Sequence, residues 1–209
     1  TMVVSDFVRA LTPATPRRAA VITLGCKVNT FESAVMAQRL AEDRWTVVDP
    51  GDAADLYVIN SCTVTAEADR QTRQATRRVL RQNPSAQVIV TGCYAQNEPA
   101  GCATIPGVSL VLGNDHKLAV AQAARELPRG SRPDQVPMWV DRLSSLPATL
   151  LNGYESRTRA FVQIQQGCDQ SCTFCVIHRA RGQSRSFDRQ SVLRQINTFV
   201  DQGYREIVL

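Results

Sequence analysis

Three cysteines follow one another closely in the sequence, at Cys168, Cys172 and Cys175. Their C-x3-C-x2-C spacing, with Phe174 directly before the third thiol, places three thiolates on one short loop. Three such thiolates can hold three irons of a cubane iron–sulfur cluster, which leaves the fourth iron without a protein ligand. Because an iron with a free coordination position can bind a reactant, the spacing predicts a cluster that does chemistry and does not only carry electrons.

A second set of cysteines, Cys26, Cys62 and Cys93, is scattered in the sequence, but each residue follows a predicted β-strand. In a parallel sheet the loops after these strands emerge at one carboxyl edge, where the ligand sites of open α/β sheets form. The preceding glycines, Gly25 and Gly92, allow tight turns there. Three converging thiols again leave one coordination position open, so we expect a second metal site. Three inert buried cysteines are the alternative.

The cysteine loop also has a zinc alternative. His178 lies three residues after Cys175, so Cys168, Cys172, Cys175 and His178 could form a closed tetrahedral zinc site. Such a site would suit a zinc-stabilised RNA-binding module without catalysis. The loop follows an apolar strand, where the active-site loops of α/β barrels lie, and this position favours the cluster. The seventh cysteine, Cys102, follows no strand end, and we expect no ligand role for it.

The composition is that of a globular protein, with 44% apolar and 21% charged residues. No apolar run approaches the roughly 18 residues of a membrane span, and the first residues do not read as a secretory signal. We therefore expect a cytoplasmic protein without a membrane partner, whose cysteines are ligands and not disulfides. The formal net charge is +5, and five arginines lie between Arg179 and Arg194. This suggests a polyanionic substrate such as nucleic acid, with a solvated basic face as the alternative.

The second cysteine set depends on a predicted α/β domain over residues 1–127. Short runs rich in valine and isoleucine alternate with helical patterns, which is typical of a doubly wound parallel sheet. The predicted strands are Ala19–Leu24, Trp45–Val48, Leu56–Ile59, Val88–Val90 and Val108–Leu112. The predicted helices follow an N-cap at Asn29 or Thr30, run from Thr65 to about Arg81, and run from Asp115 to Glu126.

Residues 128–157 contain four prolines and little periodicity, so we predict a linker with some extended pieces. A second unit over residues 158–209 then contains a strand at Arg159–Gln165, the cysteine loop, a helix from about Asp188 to Gln202 and a strand at Glu206–Leu209. The expected buried stripe of that helix is Val192, Ile196, Phe199 and Val200. Such a unit cannot cover both faces of a parallel sheet, so we expect a fragment that contains the start of an α/β barrel.

The run from Gly167 to Cys175 resembles the cluster loop of radical S-adenosylmethionine enzymes. The segments around Cys26, Cys62 and Cys93 resemble the domain specific to methylthiotransferases, whose three cysteines bind an auxiliary cluster. The family has three branches, which act on threonylcarbamoyladenosine in tRNA, on isopentenyladenosine in tRNA or on a ribosomal protein. The sequences around the three cysteines look most like the threonylcarbamoyladenosine branch. These segments are Thr23–Asn29, Asn60–Thr65 and Val90–Gln96. Gly203–Leu209 resembles the second barrel strand of the family, whereas His178 stands where the family usually has proline.

The resemblance implies an enzyme with two [4Fe–4S] clusters and S-adenosylmethionine as cofactors. One cluster would be held by Cys168, Cys172 and Cys175, and the auxiliary cluster by Cys26, Cys62 and Cys93. The reaction would add a methylthio group to adenine C2 of threonylcarbamoyladenosine next to the tRNA anticodon. The radical S-adenosylmethionine domain would be a partial TIM-like barrel, truncated here, so the 209-residue piece would be inactive alone.

The implied partners are tRNA and an electron donor such as a flavodoxin or a ferredoxin. Phe174, whose aromatic ring suits a cluster that packs beside an organic cofactor, and Arg181, from its charge and position, are candidates for lying near S-adenosylmethionine. From their charge and position, Arg179 and Arg185 are candidates for contacts with tRNA phosphates.

Overall fold

The computed structural model describes residues 17–63, 66–127, 135–143, 149–154 and 158–209. Within these residues, six strands form one sheet: β1 (Arg18–Thr23), β2 (Thr46–Val47), β3 (Leu56–Ser61), β4 (Gln87–Gly92), β5 (Leu110–Leu112) and β6 (Met138–Trp139). Their spatial order is β2-β1-β3-β4-β5-β6, and every neighbouring pair is parallel. The predicted α/β fold with a parallel sheet is therefore confirmed.

Helices cover both faces of the sheet, as a doubly wound fold requires. They are α1 (Lys27–Glu42), α2 (Ala66–Gln82), α3 (Cys93–Asn97), α4 (Pro99–Ala103) and α5 (Val120–Glu126), with a 3-10 helix at Asn114–Ala119 before α5. One face packs against Val79 of α2, and the other packs against Met36 and Leu40 of α1 and Ala123 of α5. All residues of β3 and β4 are buried, which explains why these strands are continuous apolar runs in the sequence.

Two boundaries differ from the sequence prediction. Helix α1 begins at Lys27 with Cys26 as its N-cap, so the prediction of Asn29 or Thr30 as the N-cap was wrong. Asn29 instead faces inward and donates to the backbone carbonyls of Leu24 after β1 and of Ser61 at the end of β3. The strand β6 lies within the predicted linker and pairs with β5, so the sheet extends beyond Leu127. The predicted helix start at Thr65 and the linker residues 128–134, 144–148 and 155–157 lie outside the described residues.

The second unit contains β7 (Arg159–Phe161), β8 (Gln165–Gln166), α6 (Ile177–Arg181), β9 (Arg185–Ser186), α7 (Arg189–Asp201) and β10 (Glu206–Val208). β7 and β10 are parallel and are joined through α7, which makes a βαβ unit. β8 and β9 form an antiparallel pair on either side of the cysteine loop. α7 begins close to the predicted start, and Asp188 is its N-cap, because the Asp188 carboxylate accepts a hydrogen bond of 2.9 Å from the Ser191 amide.

The buried stripe of α7 differs at one position from the predicted one. Phe199 is fully buried, but Val200 is 55% exposed, so its predicted burial was wrong. Successive helical residues lie about 100° apart, and Val200 therefore points away from the side that holds Phe199. Gln195 is buried in its place, and its carboxamide accepts from the Leu151 amide at 2.7 Å and donates to the Leu151 carbonyl at 2.8 Å.

A third apolar cluster joins the two units. Phe31 and Val35 of α1 pack against Val162, Phe199 and Leu151. The opposite side of α1 packs on the sheet, so this helix lies between the sheet and the second unit. Among the described residues, no helix is long and apolar enough to cross a membrane.

Candidate metal centres

Cys26, Cys62 and Cys93 lie where three neighbouring strands end. Cys26 follows β1, Cys62 follows β3 and Cys93 follows β4. The strand order reverses between β1 and β3, and open α/β sheets bind ligands in the crevice at such a switch point. All three cysteines line one cavity of about 190 Å³, far more than the roughly 15 Å³ that one water molecule requires. Cys62 and Cys93 are buried, whereas Cys26 is exposed.

Two glycines bring the three strand ends together. Gly25 has a φ of +96°, and a Cβ there would lie 2.5 Å from Cβ of Cys62. Gly92 has a φ of +101°, and a Cβ there would lie 2.2 Å from the carbonyl oxygen of Ser61. Only glycine accommodates both the backbone angle and the close approach. Gly25 and Gly92, which directly precede Cys26 and Cys93, therefore both contact the end of β3.

Asn29 fixes the same strand ends from the first turn of α1. Its side-chain amide donates to the Leu24 carbonyl at 2.6 Å and to the Ser61 carbonyl at 3.0 Å. These carbonyls precede Cys26 and Cys62 by two residues and one residue, so one side chain holds the ends of β1 and β3 together. Cys26 makes no side-chain cap hydrogen bond to α1, which leaves its thiol available for the cavity that it lines.

The second cysteine set begins at the rim of this cavity. Gly167, directly before Cys168, and Ile177, two residues after Cys175, both line the cavity. Gly167 has a φ of +81°, and a Cβ there would lie 2.0 Å from the carbonyl oxygen of Gln183. The Cys168 amide donates to the Gly182 carbonyl at 3.0 Å. The start of the loop is therefore tied to the segment after α6, beside the first cysteine set.

Within the loop, Cys172 is exposed, and Cys168 and Cys175 are half-buried. Among the described residues, no three or more histidine, cysteine or acidic side chains come close enough together to hold one metal ion. A tetrahedral zinc site needs its ligand atoms within about 2.0–2.3 Å of one point, so the alternative built on His178 receives no support. In a [4Fe–4S] cluster each cysteine binds a different iron, so the same finding does not bear on a cluster.

Arg181 contacts the first cysteine set through its side chain. Its Nε donates to Sγ of Cys93 at 3.2 Å, and its Nη2 donates to Oδ1 of Asn29 at 2.7 Å and to Oε2 of Glu32 at 3.1 Å. Its Nη1 donates to the other oxygen of Glu32. Lys117 approaches the same carboxylate from the 3-10 helix. The side chains of Arg181, Lys117 and Glu32 are 5%, 4% and 11% exposed.

The charges of this buried network shift one another's pKa values. Burial alone raises the pKa of Glu32, but the charges and hydrogen bonds of Arg181 and Lys117 outweigh it and lower the pKa to about 2. Burial lowers the pKa of Lys117, and Glu32 opposes only part of that effect. For Arg181, burial lowers the pKa, but Glu32 and then Cys93 raise it above the ordinary value. Glu32 is therefore an anion and Arg181 a cation at neutral pH.

The remaining predicted residues lie in different surroundings. Phe174 is 92% exposed at the tip of the cysteine loop, and Arg179 is also exposed. The Arg181 guanidinium donates to Cys93 of the first cysteine set, and the predicted place of Arg181 near S-adenosylmethionine stays a prediction. Arg185 is half-buried, and its Nη2 donates to the Arg181 carbonyl at 2.9 Å. Cys102 is fully buried, and burial together with Asp69 raises its pKa to about 12, which leaves an unreactive thiol.

Sequence reasoning did not identify Glu32 and Lys117 as residues of the site. Charged residues on helices usually face solvent, so neither position carried a signal of burial. Asn29 was noticed only as a possible cap. Its spacing of three residues from both Cys26 and Glu32 places these residues on one side of α1, and this is the signal that could have indicated a shared site.

Comparison with known proteins relates the whole arrangement to one family. A family model described as "Uncharacterized protein family UPF0004" matches residues 18–113. A protein from Bacillus subtilis named "Threonylcarbamoyladenosine tRNA methylthiotransferase MtaB" is 40% identical over 187 residues, which are 90% of this chain and 42% of that protein. A protein of the same name from Aquifex aeolicus is 37% identical over 187 residues, which are 90% of this chain and 46% of that protein.

A more distant relative carries a different name. The "tRNA-2-methylthio-N(6)-dimethylallyladenosine synthase" of Fusobacterium nucleatum is 29% identical over 196 residues, which are 92% of this chain and 45% of that protein. The chain therefore spans less than half the length of each of these relatives. Over that span, the chain is similar to proteins that are named as methylthiotransferases.

Proposed function

We propose that this chain forms the cluster-binding part of a tRNA methylthiotransferase that holds two [4Fe–4S] clusters. Cys26, Cys62 and Cys93 hold the auxiliary cluster, and the loop with Cys168, Cys172 and Cys175 holds the cluster that binds S-adenosylmethionine. One observation carries the proposal: three strand ends bring three thiols onto one cavity, and the second cysteine loop begins at the rim of that cavity.

The donor set fits iron–sulfur clusters better than other metal groups. Thiolates are the soft ligands that such clusters use, and each set supplies three free cysteines. Three sulfurs in each set leave one corner of a cubane cluster free for a reactant. The arginine that donates to Cys93 complements negative charge on the sulfur, which is the form that binds metal.

When bound, the clusters supply the electron that cleaves S-adenosylmethionine and the sulfur that is transferred. Cys26, Cys62 and Cys93 line the cavity, and Gly167, directly before the second cysteine loop, lies at its rim, which supports the approach of one substrate to both proposed centres. Val28 and Ile177 line the cavity with apolar surface that excludes water. Gln163 also lines it, and Nε2 of Gln163 is buried with no hydrogen-bond partner in the described part of the chain. We assign to this amide a hydrogen bond to the bound substrate.

The proposed substrate is threonylcarbamoyladenosine next to the anticodon of tRNA, with the methylthio group added at adenine C2. The relatives at 40% and 37% identity carry that substrate in their names, whereas the dimethylallyladenosine relative is 29% identical. No side-chain base can deprotonate the C2–H bond, so the proposed chemistry is radical. The proposed partners are tRNA, contacted in part by exposed Arg179 and by Arg185, and an electron donor such as a flavodoxin or ferredoxin.

Iron analysis of the full-length protein tests the two cluster sites. Anaerobically purified protein is expected to contain about eight irons per chain, four for each cubane cluster. Replacing Cys26, Cys62 and Cys93 by alanine leaves about four irons, and so does replacing the three loop cysteines. Cys102→Ala is the matched control and keeps all of the iron. A colourless protein with one bound zinc would refute the proposal.

Analysis of tRNA nucleosides tests the substrate. Mass spectrometry of tRNA from cells that lack the gene is expected to show threonylcarbamoyladenosine without its methylthio group. Methylthio-isopentenyladenosine is expected to stay at its normal level, which serves as the internal control. If instead the isopentenyladenosine derivative loses its methylthio group, the substrate assignment is wrong, although the iron analysis would still support the enzyme class.

A further inference from the structure

We infer that Arg181 is a positioning residue for the auxiliary cluster: it orients the sulfur of Cys93, gives the cluster a neighbouring positive charge and ties it to the second cysteine loop. The inference rests on the proposed function, since it takes Cys93 as a cluster ligand. It concerns a residue outside both cysteine sets.

The guanidinium of Arg181 is held in place from several sides. Its Nε lies 3.2 Å from Sγ of Cys93, while Nη2 lies 2.7 Å from Oδ1 of Asn29 and 3.1 Å from Oε2 of Glu32. The side chain is 5% exposed. A planar guanidinium with this set of partners cannot rotate without breaking several hydrogen bonds at once, so the N–H group that faces Cys93 has a fixed direction.

The charge of Arg181 lies next to the sulfur of Cys93. The guanidinium is buried, and its Nε donates to Sγ of Cys93 at 3.2 Å. Hydrogen bonds to the sulfurs and nearby charge set the reduction potential of an iron–sulfur cluster, and a cation favours the reduced form.

The same short segment also holds the second cysteine loop. Arg181 ends α6, and the carbonyl of the next residue, Gly182, accepts a hydrogen bond of 3.0 Å from the amide of Cys168. The Arg181 side chain reaches Cys93 while the backbone beside it holds the start of the loop. Arg181 and Gly182 together therefore contact both cysteine sets.

A redox titration of the auxiliary cluster tests this role. The reference is the full-length protein with Cys168, Cys172 and Cys175 replaced by alanine, so that the auxiliary cluster is measured alone. Arg181→Gln removes the charge and leaves Glu32 balanced by Lys117, which favours normal folding. At the midpoint potential of the reference, the ratio of reduced to oxidised cluster in Arg181→Gln is expected to be at least tenfold lower. For a one-electron couple, this means that the midpoint potential falls by about 59 mV or more.

Two further variants make the test specific. Arg181→Lys keeps the charge but cannot donate to Cys93, Asn29 and Glu32 together, so it is expected to recover part of the shift and not all of it. Arg189→Gln, at an exposed position on α7, is the matched control and is expected to leave the potential unchanged.

The outcomes separate this inference from the proposed function. A reference protein without any cluster overturns both. A reference with four irons whose potential is the same in Arg181→Gln overturns the role of Arg181 alone. If Arg181→Gln does not fold, Arg181→Lys decides, and a potential equal to that of the reference then overturns the inference.

Discussion

Glu32 balances two buried cations, so Glu32→Gln is a sharp perturbation of the network between the two units. The carboxylate contacts Arg181 and Lys117, and all three side chains are at most 11% exposed. Glutamine keeps the shape of the side chain but removes its charge, which leaves both cations without a carboxylate. Removing one partner of a buried ion pair costs about 3–5 kcal/mol of folding free energy.

The pKa of Glu32 gives the same magnitude by a separate route. Burial raises this pKa, but Arg181 and Lys117 lower it from 4.5 to about 2. A shift of this size corresponds to about 3 kcal/mol of stability at neutral pH. Because the pKa is lower in the folded protein than in the unfolded chain, this stability is fully present above pH 4.5 and is lost as the pH falls to about 2.

Urea unfolding of the full-length, metal-free protein, followed by circular dichroism, measures this contribution. Glu32→Gln is expected to lower the free energy of unfolding by about 3 kcal/mol at pH 7 and to weaken the acid sensitivity below pH 4.5. The matched control is Glu42→Gln on the same helix, since Glu42 is 48% exposed and pairs with Arg39. That control is expected to cost less than about 1 kcal/mol.

The reasoning fails if Glu32→Gln and Glu42→Gln unfold at the same urea concentration. It also fails if Glu32→Gln keeps the acid sensitivity of the natural protein between pH 4.5 and pH 2, because another group would then be responsible for it. A loss much larger than about 5 kcal/mol would indicate that the second unit separates from the first.

Two further perturbations test the cysteine environments. Gly92→Ala forces a Cβ to within 2.2 Å of the Ser61 carbonyl oxygen, so it is expected to lose the auxiliary iron in an iron assay. Gly203→Ala is the control, because a Cβ there meets nothing within 4 Å. It is expected to keep that iron and to lower the free energy of unfolding only by the roughly 1–2 kcal/mol that a left-handed backbone costs a residue with a side chain. Equal iron losses in the two variants would contradict the close packing at Gly92. Cys102 is fully buried, and its pKa is about 12. Iodoacetamide at pH 8 is therefore expected to leave this thiol unlabelled in the native protein, as measured by mass spectrometry. Rapid labelling would show that the thiol is accessible.

The sheet could be predicted from the sequence because each buried strand is a short apolar run with a turn residue at its end. The direction of a parallel strand follows from the strand–helix alternation, so the positions of Cys26, Cys62 and Cys93 after their strands already placed them at one edge. The structure agrees with this predicted placement, because all three cysteines line one cavity at that edge of the sheet. Their role as cluster ligands stays a prediction, because that role depends on a group that only chemical analysis detects.

The buried network could not be predicted, because its members are far apart in the sequence and belong to types that usually face solvent. Glu32 and Arg181 are 149 positions apart, and no local pattern joins them. From its charge and position, Arg181 is predicted to lie near S-adenosylmethionine, and its contact with Cys93 is not part of that prediction. The packing of the second unit on α1 turns its side chain towards Cys93, and only tertiary structure supplies that information.

Helix α1 explains why the two cysteine sets lie at a fixed distance from each other. Its N-cap is Cys26, and the next two turns carry Asn29, which holds the ends of β1 and β3, and Glu32, which holds Arg181. Phe31, between them in sequence, packs against the second unit. Polar contacts therefore set the direction of the Arg181 side chain, while the apolar contact keeps the units together. A change in the first two turns of this helix should affect both cysteine sets, whereas a change at exposed Glu42 in its last turn should affect neither.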